Sequence, residues 1–150
     1  MGVTEFEQFA GNARPRLQRA LVARYGIEIG VEATSDAMTY AWEHWARVSA
    51  MDNVLGYLWR VAQTSVRRHH RWNTRPTYPA ERVHDAGPDR IELPPALWKL
   101  RPDVRVALLL VHGYEWPYDE VAALLDVPLS TVRNHVHRGL KKLRAELEER

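Results

Sequence analysis

The chain has 150 residues, 45% of them hydrophobic, with 21 Lys and Arg against 19 Asp and Glu and no cysteine. That length suits one domain or two small ones with a packed core, and the lack of cysteine excludes disulfides and thiolate metal sites, in keeping with a reducing cytosol. No apolar run approaches the roughly 18 residues of a membrane span, and the start, "MGVTEFEQFAGNARPRLQRA", lacks the apolar core of a signal peptide, so a cytoplasmic chain with no membrane partner is expected.

From about Thr4 to Trp72 the pattern is helical. Phe6, Phe9, Ala13, Leu17 and Leu21 recur at spacings of three and four, the apolar face of a first helix. "YGIEIG" at 25–30 carries two glycines and reads as a break. A second helix is expected near residues 33–48, with Ala37, Ala41 and Trp45 in line. A third, about 54–70, carries Leu55, Leu58, Val61 and Ala62 and ends in the basic run "RRHHR". Trp59 reads as core, and Trp42 and Trp45, three apart, as core residues sharing a face. Arg60, Arg67, Arg68 and Arg71, with Trp59 and Trp72 nearby, make a positive helix with aromatic neighbours. That combination suits single-stranded DNA, whose bases stack and whose phosphates pair; the plainer alternative is a row of solvated arginines.

Residues 73–93, "NTRPTYPAERVHDAGPDRIEL", hold three prolines and one glycine with no apolar period, and read as a linker. Pro94 and Pro95 then open a helix, and the apolar run 104–111 reads as a buried helix that Gly113 ends. No segment alternates as a strand does, and no repeat is evident. The expected fold is all-α, with two small helical domains, 1–72 and 94–150, joined by a flexible linker at 73–93.

The second domain contains "YDEVAALLDVPLSTVRNHVHRGLKKLR", 118–144. A short helix with Val121, Leu124 and Leu125 inward leads to a tight turn at Asp126. A second helix starts near Leu129, with Leu129, Val132, Val136, Leu140, Leu143 and Leu147 as a continuous stripe. Its other side holds Ser130, Asn134, His137, Arg138 and Lys141, flanked by Arg133 and Arg144. Gly139 lies near the stripe, where a missing side chain lets helices approach. Two helices and a short turn, the second with a basic, amide-bearing outer face, describe a helix-turn-helix. Arg and Asn make bidentate contacts to base edges, while Lys and hydroxyls hold phosphates. A merely solvated face would intersperse acids, as "AELEER" does just afterwards, whereas Thr131 to Arg144 contains none. The candidate DNA-binding residues are Ser130, Thr131, Arg133, Asn134, His137, Arg138, Lys141 and Lys142.

Other chemistry is poorly supported. The pairs His69/His70 and His135/His137 point apart as close neighbours on a helix, so no metal and no cofactor are expected. Adjacent carboxylates at 119/120 and 148/149 lack a placed partner for acid–base work. No Gly-rich phosphate loop or nucleophile motif is present, and an enzyme is not expected.

"LPPALWKL" and "VALLLVHGYEWPYDEVAALLDVPLSTVRNHVHRGLKKLR" together resemble region 4 of bacterial extracytoplasmic-function sigma factors. The matching residues are Leu93–Pro95, Gly113, Tyr118, Glu120, Val121, Ala122, Thr131, Val132, His137, Arg138, Leu143 and Arg144. Taken alone, this helix-turn-helix also resembles the LuxR type. The first block narrows the resemblance: "FEQFAGNARPRLQRALVARYG" looks like sigma region 2.1, "DAMTYAWEHW" like the end of region 2.2, and "YLWRVAQTSVRRHHR" like regions 2.3 to 2.4. The resemblance implies a transcription initiation factor that binds core RNA polymerase and promoter DNA, the second domain reading the minus-thirty-five element. It implies polymerase docking through Glu32 and Asp36, DNA contacts in the first domain from Arg60, Thr64, Arg67, Arg68 and Arg71, and an anti-sigma factor as a further partner.

The family's acidic D-L-V-Q-E segment reads "EATSD" here, keeping Glu32 and Asp36 around Ala33, Thr34 and Ser35. The common region 2.4 Asn falls on Thr64, a common Asp on Arg68, and the turn Gly on Asp126. Three functions therefore stand: a sigma factor, a sigma-like regulator that does not open promoters, and an interaction module that sequesters a partner.

Overall fold

The computed structural model describes residues 2–69 and 94–148. They belong to two compact units, Met1–Pro76 and Thr77–Arg150, and among the described residues every regular element is helical.

In the first unit, α1 (Gly2–Tyr25) packs on α2 (Ile27–Glu43), and α2 packs on α4 (Val54–His69), with the short α3 (Trp45–Val48) between them in sequence. Leu17 and Leu21, Ala37 and Ala41, Val48, and Leu58 and Ala62 are wholly buried where these helices meet. The apolar face expected of α1 divides. Ala13, Leu17 and Leu21 reach this core, whereas Phe6 and Phe9 are half-buried and meet an aromatic cluster. The Phe6 ring lies 5.2 Å from Trp42 and 5.4 Å from Trp45, and Phe9 lies 5.0 Å from Trp45. Trp42, expected in the core, is 46% exposed, because it sits on the last turn of α2 and Phe6 covers one side of it.

The second helix starts at Ile27, six residues before its expected start, and the break shrinks to Gly26 (φ 92°). The 25–30 glycine signal misled because Gly30 serves packing. A Cβ there would stand 2.7 Å from the Val22 backbone, so its absence lets α1 and α2 close together. At the other end α2 stops at Glu43 instead of running to 48. His44 leaves the helical region with φ −120°, its ring stacked on Tyr40 at 4.2 Å and its Nδ1 3.0 Å from the Tyr40 carbonyl. Asn53 caps α4, its Oδ1 accepting the Gly56 N–H at 3.1 Å. Trp59, 4% exposed, is core as expected.

In the second unit α5 (Pro95–Trp98) leads to α6 (Pro102–Leu108), and α6 packs on α8 (Leu129–Glu148), which α7 (Tyr118–Leu125) also touches. The buried run at 104–111 is not one regular helix, since Leu109–Gly113 forms a π-helical turn. Within that run Arg105 is 4% exposed. Its Nη1 donates to the Leu100 carbonyl at 2.8 Å, and its guanidinium lies 4.4 Å over the Trp98 ring. A hydrogen bond and a cation–π contact together make a buried guanidinium tolerable.

Candidate nucleic-acid and polymerase interfaces

The turn between α7 and α8 is built on Asp126, which takes the left-handed conformation (φ 55°, ψ 52°). Asp tolerates this better than most residues. The Val127 N–H bonds to the Ala122 carbonyl at 3.1 Å, and the Thr131 N–H to that of Pro128 at 3.0 Å, closing α7 and opening α8. Val121 and Leu124 of α7 are buried, as are Val132 and Val136 of α8. Further along α8, a Cβ on Gly139 would lie 3.1 Å from both Val104 and Leu108, so this glycine seats α8 on α6. The apolar stripe is shorter than its pattern: Leu140 and Leu143 are half-buried, and Leu129 and Leu147 at the ends are exposed.

The outer face is as basic as the sequence indicates. Ser130, Arg133, Asn134, His137, Arg138 and Lys141 are exposed, and Thr131 is half-buried. No acid occupies the first turn of α8, so its amide dipoles are left to favour an approaching anion. Lys142 turns elsewhere. Its ammonium donates to the Lys99 carbonyl at 3.2 Å, beside a 3.0 Å ion pair between Lys99 and Glu146, so it braces α8 against the end of α5.

On α4, Tyr57, Arg60, Thr64 and Arg68 recur at spacings of three and four, and with Asp36 and Tyr40 of α2 they line a groove of about 610 Å³. Arg60, Thr64, Arg67 and Arg68 are exposed; Arg71 lies outside the described residues. The Thr64 hydroxyl donates to the Arg60 carbonyl at 3.0 Å and faces Arg67 Nη2 at 3.4 Å, so its donor serves its own helix. Sequence reasoning missed the two tyrosines. Their hydroxyl oxygens are 3.0 Å apart, and Arg47 donates to that of Tyr40. The Tyr57 hydroxyl, with help from the Arg47 charge, holds the Tyr40 pKa below that of an ordinary phenol. The same hydrogen bond, then burial, raises that of Tyr57. An i, i+3, i+4 count from Tyr57 would have found its place on the arginine face, but Tyr40 joins only through the packing of α2 on α4. Aromatic rings beside guanidinium groups can stack a base and hold its phosphate.

Glu32 and Asp36 stand one turn apart on α2. Between them Ala33 and Thr34 are buried, the Thr34 hydroxyl donating to the Gly30 carbonyl at 2.7 Å, and Ser35 accepts from Arg14 at 3.1 Å. Asp36 Oδ2 accepts from the Ser65 hydroxyl at 2.6 Å and lies 3.4 Å from His69 Nδ1. In sequence His69 stands beside His70, which lies outside the described residues; across the helix pair His69 meets a carboxylate. Among the described residues no helix is long and apolar enough to cross a membrane.

Residues 92–143 match the family model for sigma-70, region 4. Over 123 residues the chain is 33% identical to the RNA polymerase sigma-E factor of Streptomyces antibioticus, an alignment that covers 78% of this chain and 68% of that one. It is 29% identical to the RNA polymerase sigma-E factor of Streptomyces avermitilis, over 99% of this chain and 88% of the relative. Its fold is similar to that of the sigma factor RpoE from Bartonella quintana, solved in complex with the anti-sigma factor NepR, with a TM-score of 0.70, 19% identity, and coverage of 97% of this chain and 98% of that one. With a basic helix-turn-helix following a helical first unit and relatives matching along nearly its whole length, the chain belongs to the extracytoplasmic-function group of bacterial RNA polymerase sigma factors.

Proposed function

We propose that this sigma factor works in the cytoplasm, without enzymatic activity, by joining core RNA polymerase and directing it to promoters whose minus-thirty-five element the second unit reads. One observation carries the reading: the exposed side of α8 bears Arg133, Asn134, Arg138 and Lys141 with no acid in its first turn. Asn134 and Arg133, early on the recognition helix, contact base edges, and Lys141 holds phosphate. Ser130, Thr131, His137 and Arg138 complete that surface. In the first unit Glu32 and Asp36 dock on basic polymerase surface, and Arg60, Arg67 and Arg68 hold the displaced strand. An anti-sigma factor, the kind of partner bound to the similar Bartonella protein, acts by covering the acidic and basic surfaces. The organisation proposed for the whole chain is a first domain 1–72, a linker 73–93 and a second domain 94–150.

Run-off transcription from genomic promoter fragments, with purified core polymerase and this chain, tests the proposal. Specific transcripts that depend on the chain are expected, and none with core alone. One observation favours a second reading, a regulator that binds without opening promoters. Thr64, which stands where the family commonly has an amide, uses its hydroxyl hydrogen on the Arg60 carbonyl and so has fewer bonds left for a flipped base. DNA or polymerase binding without transcripts is the outcome that selects it.

A further inference from the structure

We propose that Glu32, Asp36 and His69 form a site for a divalent cation of the zinc type on the face of α2 that carries the two docking carboxylates. Four residues apart, Glu32 and Asp36 share one side of their helix, and His69 brings an imidazole from the last described turn of α4. One ligand atom from each lies within 4.8 Å of the other two. Zinc takes its ligands at roughly 2 Å, so binding requires these three side chains to draw together from that spacing.

The donor set selects the ion. Magnesium and calcium take oxygen ligands, whereas an imidazole nitrogen beside carboxylates suits zinc and its transition-metal neighbours. The imidazole already sits beside a carboxylate: His69 Nδ1 lies 3.4 Å from Asp36 Oδ2 and 3.4 Å from Ser65 Oγ. The Ser65 hydroxyl donates to that same carboxylate oxygen at 2.6 Å, fixing its direction as outer-shell groups do at metal sites. Three protein ligands leave a position for water, the arrangement of an open site rather than a closed structural one. Arg68, which shares the groove with Asp36 and His69, places a positive charge nearby and holds the affinity down.

A bound divalent cation cancels the two negative charges that α2 offers to basic polymerase surface, so metal and polymerase compete. This consequence, unlike the site itself, rests on the docking role proposed for Glu32 and Asp36.

The test uses the full chain and zinc in equilibrium dialysis. The chain has seven histidines, so His137→Gln serves as the control for unrelated binding. Glu32→Gln and His69→Gln are both expected to weaken the tightest site about tenfold or more, while His137→Gln leaves it unchanged. Equal affinity for the wild type, Glu32→Gln and His69→Gln overturns the site. Core polymerase binding is then measured with and without zinc. Zinc is expected to weaken the wild type and to spare His69→Gln; equal weakening of both overturns the competition. Glu32→Lys with Asp36→Lys, measured without zinc, separates the two ideas. Unchanged polymerase affinity there refutes the docking role and with it the competition, while the dialysis result judges the site by itself.

Discussion

Asn134 and Lys141 share the exposed side of α8 but have different chemistry to offer. An amide can read a base edge bidentately, whereas an ammonium is a point charge for phosphate. Asn134→Ala is therefore expected to cost about 1–3 kcal/mol on the preferred site and little elsewhere. Lys141→Ala is expected to weaken binding to all DNA alike and to lower the salt slope by about one. Fluorescence anisotropy on matched and scrambled duplexes at several salt concentrations checks both, and identical behaviour of the two variants would refute the division of roles. At this scale the sequence was most legible where one helix supplies the whole surface, as on α8. Lys142 shows the limit: its neighbour Lys141 shares its charge, but only packing reveals the Lys99 carbonyl that takes up its ammonium. The Tyr40–Tyr57 pair and the Asp36–His69 contact were invisible for a related reason. Their partners are 17 and 33 positions apart, and no local period links them.

The helix-turn-helix was legible at the level of the element: α7, the turn at Asp126 and the start of α8 all fall where apolar spacing and turn chemistry put them. The start of α2 was not, because glycine carries two meanings. Gly26 ends a helix with a positive φ, while Gly30 sits inside one and admits a neighbour. The buried run at 104–111 hid both the π-helical turn that follows α6 and the burial of Arg105, since neither leaves a mark on hydrophobic periodicity. The seam between α6 and α8 depends on Gly139, where an added Cβ meets Val104 and Leu108 at 3.1 Å. Gly139→Val adds two methyl groups beyond that Cβ to a packed contact, and overpacking of this kind costs about 1–3 kcal/mol. Urea unfolding followed by circular dichroism is the check: a lower midpoint with unchanged slope is expected, and an unchanged midpoint would mean that the seam is looser than it looks.

For the whole molecule, two compact helical units and a sigma-family sequence fit the proposal of two DNA-contacting surfaces brought to one enzyme. The proposed linker at 73–93 has three prolines and little to bury, so limited proteolysis is expected to cut there first and leave two folded helical fragments. Protection of that segment would mean that it packs against the units. The two surfaces are unequal. The second unit presents a basic, amide-bearing helix face, whereas in the first Thr64 has its hydroxyl engaged and Arg68 stands where the family commonly has an acid. With the Thr64 hydroxyl engaged, few side-chain hydrogen bonds are left there for choosing a base, so most of the sequence choice is expected to fall to α8. The proposed initiation activity, resting on minus-thirty-five recognition and expected to make relaxed demand on the minus-ten element because Thr64 has its hydroxyl engaged, is tested most directly by permanganate footprinting with core polymerase on a promoter series mutated at each minus-ten position. The account predicts reactive, unpaired thymines that persist through single minus-ten changes and vanish when the minus-thirty-five element is altered. A strict dependence on one minus-ten base would contradict the relaxed hold on the strand, and no opening on any promoter would contradict the proposed initiation activity itself.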